Sequence, residues 1–151
     1  VCVCIGSIPD RTGLFPDSRD DEFMSYYFSK VVNDSFDDAV ERVTARLAEA
    51  GFGVLTTIDV SATLKKKVDV DMPRYTILGA CNPGFAHKAL QAENKIGTML
   101  PCNVVVQETA DGKVEVAAVD PVASMASIEN ASLGEIAQQV QGMLKDVIEG
   151  L

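Results

Sequence analysis

The chain has 151 residues, 47% of them hydrophobic and 23% charged, which suits one compact domain that buries most of its unfolded surface. Thirteen basic residues against twenty-two acidic ones give a formal charge of −9, which repels phosphate backbones and anionic lipid, so neither nucleic acid nor a membrane surface is an expected partner. Four cysteines are too few for a disulfide scaffold and fit no zinc spacing, and no apolar run approaches the roughly 20 residues of a membrane span. A soluble chain in a reducing, cytoplasmic compartment is expected, although the start at Val1 leaves open an upstream targeting segment.

Residues 1–22 combine a short β-branched run with glycine, proline and acidic residues, and read as an arm or tail ahead of an α+β domain over residues 23–151. From Met24 to Asn33 the aromatic and β-branched MSYYFSKVVN predicts a strand. Ser35 followed by Asp38 resembles a capping box, and Phe36, Val40, Val43 and Leu47 recur at helical spacing before Gly51. Residues 53–60 alternate as a strand, and a polar connection holding Lys65, Lys66 and Lys67 leads to a third strand over residues 74–81. Asn82 as cap and Pro83 as first helical residue start a second helix, running to about Asn94, whose polar face carries the lone histidine, His87. Two strands around the turn at Asp111 and Gly112 form a hairpin closed by Asp120 and Pro121. Ser132 with Glu135 then caps a last helix bearing Ile136, Val140, Met143 and Val147.

Strands and helices in this order predict a two-layer α+β domain, a largely antiparallel sheet of about five strands with three helices on one face. The other face needs cover, and a second copy of the chain, packed over residues around Tyr26, Tyr27 and Phe28, is the expected cover. A homodimer follows from that reading.

The stretches ILGACNPGFAHKAL and GTMLPCNVVVQE, with SFDDAVERVTARLAEAGFGVLTTIDVSATLKKK upstream and Asp120-Pro121 downstream, resemble the bacterial and archaeal family catalogued as domain of unknown function 302. The resemblance covers about residues 25–125. It implies a TATA-binding-protein-like α+β fold, small dimers and no established activity. The motif positions it carries over are Asp59, Leu64, Lys65, Cys81, Asn82, Pro83, Pro101, Cys102 and Asp120, without assigned roles.

The pair Cys-Asn occurs twice, at Cys81-Asn82 and Cys102-Asn103. Cys81 falls between a strand end and a helix N-cap, where the helix dipole favours a thiolate. If the two strands are antiparallel neighbours, Cys102 approaches it. Buried packing, a reactive or redox thiol pair, and metal ligation are the alternatives; packing leads on the frequency with which free cysteine is buried, and metal trails because His87 projects elsewhere. Asn82, Asp59, Lys65 and Asp120 are the candidate ligand contacts, although Asn82 also reads as a plain cap. Asp59 and Asp120 could pair as acid and base, or serve a strand end and a turn. No metal site and no cofactor is called for, and no phosphate loop, dinucleotide fingerprint or catalytic triad is present. Two functions stand: a dimeric module that binds a small molecule or a partner, and a thiol-dependent enzyme or redox protein using Cys81 and Cys102.

Overall fold

The computed structural model describes residues 25–151, and the arm expected over residues 1–22 lies outside the described residues. Strand β1 spans Tyr27–Val32, later than the Met24 start expected from its aromatic run. Helix α1 (Phe36–Glu49) begins at Ser35, whose hydroxyl oxygen accepts from Asp38 N, so the cap predicted from sequence forms. Strand β2 (Gly53–Asp59) follows Gly51, whose φ of +84° closes the helix with a backbone that an L side chain resists.

The lysine run lies in a helix, not in a polar connection. Helix α2 spans Val60–Val68 because Asp59 caps it, accepting from Ala62 N, and because Val60, Leu64 and Val68 repeat every four residues. None of its residues is buried, so the pattern is faint in sequence. Strand β3 (Tyr75–Cys81) leads into α3 (Pro83–Ala92), which stops short of Asn94. A 3₁₀ turn over Ile96–Met99 precedes the hairpin of β4 (Cys102–Glu108) and β5 (Val114–Val119). A one-turn helix, α4 (Pro121–Ser124), and the long α5 (Ala131–Glu149) complete the described residues, giving five α-helices where three were expected. The cap of α5 is Asn130, not Ser132: the Asn130 side-chain oxygen accepts from Ser132 N, which places Ser132 inside the first turn.

The five strands form one wholly antiparallel sheet in the order β1-β5-β4-β3-β2, and the expected α+β architecture stands. Alternation fixes its two faces. Val32, Leu78, Ala80, Val104, Val106, Val114, Val116 and Ala118 turn inward beneath α1 and α5, with Val43, Leu47 and Leu144 fully buried above them. A smaller cluster of Ala89, Ile96 and Leu133 lies under α3. Phe28 packs against the helix-side core and not outward with Tyr27, which corrects the expectation of an exposed aromatic trio. The opposite face carries Val31, Ile58, Ile77, Val105 and Ala117, and Ile58 and Val31 stay about half exposed.

Candidate functional site

The two thiols belong to one end of the sheet. Ala80 of β3 stands opposite Cys102 of β4, so Cys81 is one residue farther along the ladder. Both cysteines are unbridged; Cys102 is buried and Cys81 half-buried. Burial, and secondarily the neighbouring Cys81, push the Cys102 thiol up to about 11. A thiol held that high is protonated at neutral pH and is a poor nucleophile. Cys2 and Cys4 lie outside the described residues.

Asn82 caps α3, its side-chain oxygen accepting from Gly84 N at 3.1 Å and Phe85 N at 3.3 Å. The amide nitrogen of the same side chain makes no hydrogen bond among the described residues. It sits against Gly51, where an added Cβ would come within 3.3 Å of it, so the end of α1 and the start of α3 meet at these two residues.

Asp120 stands beside the same end. Val104 pairs with Ala118, which brings position 120 level with Cys102. The carboxylate is buried, accepts from Val122 N and Ala123 N, and receives Gln141 Nε2 at 2.9 Å from each of its oxygens. It therefore caps α4 and ties it to α5.

Asp59 and Lys65 are elsewhere. Gly53 pairs with Cys81 at one end of the β2–β3 ladder and Asp59 pairs with Thr76 at the other, about 20 Å away along the strand. Asp59 and Asp120 are consequently at opposite ends of the sheet, and the acid–base pairing considered from sequence does not form. Asp59 is held below the usual carboxylate range by the Ala62 N–H and then by the Ser61 hydroxyl. Lys65 is held above its ordinary value by Asp69 and Asp71, whose carboxylates lie 2.7 and 2.9 Å from its ammonium.

Between α3, α5 and the cysteine end of the sheet lies a cleft of about 30 Å³. Cys81, Asn82, Phe85, Ala86, Ala137 and Met125 are among its walls, and among the described residues no charged side chain lines it. It occupies the seam between the large core and the smaller cluster under α3, which Ile136, alone among the described residues, bridges by packing against both. The sequence reading did not anticipate Phe85, Ala86, Ala137 or Gln141. A usable signal was there: Ala86 and Ala89 on one helix and Ala137 on another are small residues on inward faces, which leave space where larger side chains would close it. Among the described residues, no group of three histidine, cysteine or acidic side chains could hold a metal ion, and no helix is long and apolar enough to cross a membrane.

A crystal structure of an uncharacterized conserved protein DUF302 from Bacillus stearothermophilus superposes with a TM-score of 0.77, at 26% identity, over 82% of this chain and 96% of that one. An uncharacterized protein of Aquifex aeolicus (strain VF5) is 28% identical over 90 residues, 60% of this chain. The match spans only 56% of that relative's length. With strand order, hairpin and both Cys-Asn steps placed as above, and with a family model matching residues 28–151, the chain belongs to the family described as domain of unknown function DUF302.

Proposed function

We propose that the protein is a dimeric binding module: a second copy covers the open sheet face, and a small molecule occupies the cleft beside Cys81 and Asn82. The observation that carries the reading is the convergence of Cys81, Asn82, Cys102 and the Asp120-Pro121 step on one apolar cleft. Three of the six candidate site residues, Cys81, Asn82 and Cys102, line it and Asp120 adjoins its wall through Pro121, while Asp59 caps a helix and Lys65 is ion-paired. Ligand sites are typically apolar recesses with a few polar groups at the rim, and Asn82 supplies an amide there.

The dimer rests on a separate observation. The open face presents Ile58, Ile77, Val105 and Ala117 in one cross-strand row, and Glu115 is the one charged residue on its strand positions, hydrogen-bonded by Gln107 Nε2 at 2.8 Å. Two chains of charge −9 repel overall, and a nearly charge-free apolar face is where contact costs least.

The thiol-dependent alternative draws on Cys81, half-exposed at the cleft. Cys102 weakens it as a redox pair, because its thiol stays protonated at neutral pH. Free thiols suit a reducing compartment such as the cytoplasm. Native mass spectrometry of gently purified protein tests the proposal. The expected result is a mass twice the 16.1 kDa chain with a dissociable small adduct; a bare 16.1 kDa species at micromolar concentration contradicts it.

A further inference from the structure

Resting on the cleft reading above, we propose that its ligand is a linear aliphatic chain ending in a carboxylate, with the tail between α3 and α5 and the head group at Lys88. Size sets the tail. An apolar cavity that takes benzene measures about 150 Å³, whereas this cleft offers about 30 Å³. That space admits the end of a single alkyl chain and excludes an aromatic ring. Ala80, Ala86, Ala89 and Ala137 line it with methyl groups, and among the described residues no charged side chain reaches inside, so a buried ionic group would be left uncompensated there.

Charge sets the head. Phe85 forms part of the wall, and the Lys88 ammonium stands 5.7 Å from the centre of its ring. Lys88 is exposed and has no ion-pair partner among the described residues. In a chain of charge −9, an unpaired cation beside an apolar cleft selects an anionic end group over a cationic one. The unused amide N–H groups of Asn82 add neutral donors suited to a carboxylate oxygen. A surface ion pair contributes little, so the tail supplies most of the affinity and the head supplies discrimination.

The experiment is titration of ¹⁵N-labelled full chain with butyrate, hexanoate, 1-hexanol and benzene, followed by amide shifts. Hexanoate is expected to move the amides of Phe85, Ala86 and Ala137, and to bind tighter than butyrate by about fourfold per methylene until the cleft is full. Lys88→Gln is expected to weaken hexanoate by roughly two- to fivefold and to leave 1-hexanol unchanged. Ala86→Leu, at a half-buried wall position, is expected to abolish both. Equal binding of hexanol and hexanoate, insensitive to Lys88→Gln, overturns the carboxylate while leaving the cleft reading intact. Benzene binding more tightly than hexanoate overturns the linear chain. Shifts confined to residues away from α3 and α5 with every probe overturn the cleft reading itself.

Discussion

Replacing Asp120 by alanine separates a structural carboxylate from a ligand-contacting one. The residue is 8% exposed and its carboxylate holds three groups: two N–H donors at the start of α4 and the Gln141 amide on α5. Loss of an N-cap costs about 1 kcal/mol, and a half-buried Gln141 amide left without its acceptor costs about 1 kcal/mol more. Asp120→Ala should therefore destabilise by roughly 2 kcal/mol, which lowers the urea midpoint by on the order of 1 M for a chain of this size. Asp120→Asn keeps an oxygen for the cap and should lose about half as much. Gln141→Leu removes the second partner, so the double variant Asp120→Ala with Gln141→Leu should be less destabilised than the sum of the two singles. Urea unfolding followed by far-ultraviolet circular dichroism gives all four values. A midpoint for Asp120→Ala within about 0.2 M of wild type would refute the clamp, and would return the residue to the set of ligand contacts.

Two further outcomes come from buried positions. The Cys102 thiol rises from 9.0 to about 11 in the fold, so above pH 9 the unfolded chain has released a proton that the folded chain still holds. Stability from this group is complete below pH 9 and is lost as pH climbs through 11, by roughly 2 to 3 kcal/mol in all. Urea midpoints at pH 8 and pH 10.5 should differ more in wild type than in Cys102→Ala; equal differences would contradict the buried thiol. Gly79→Ala places a methyl against the Thr56 hydroxyl oxygen and 2.8 Å from Pro101 Cγ, and should cost about 1 to 2 kcal/mol after the backbone-entropy gain of alanine. Thr56→Ala in the same background, which removes the hydroxyl oxygen, should leave most of that loss if the rigid Pro101 ring causes it; full recovery would assign the clash to Thr56 alone.

Much of the fold is legible residue by residue. Alternation in Val114, Val116 and Ala118, the Ser35 cap and the Asn82-Pro83 helix start each report a local preference that the tertiary structure keeps. α2 escapes because its apolar positions Val60, Leu64 and Val68 are never buried and a lysine run overlies them. The Ser132 cap misleads because Asn130, two residues earlier, also bonds Ala92 O and so is fixed by a contact distant in sequence. The candidate site divides along the same line. Cys81, Asn82 and Cys102 could be paired from an antiparallel guess, whereas Gln141 reaches Asp120 only through the docking of α5. Asp59 carries motif resemblance and nonetheless sits about 20 Å from the thiols, since a seven-residue strand separates its two ends by that distance.

Assembly of the open face is tested most directly by sedimentation equilibrium of the wild-type chain beside Val105→Asp. Val105 lies at the centre of the apolar row, half-buried and outside the helix-side core, so a carboxylate there should leave the fold intact and put an unpaired charge into a contact between copies. The expected masses at micromolar concentration are twice 16.1 kDa for wild type and a single 16.1 kDa chain for the variant. A wild type that sediments as one chain, or a variant that remains dimeric with native circular dichroism, would contradict a module assembled through this face.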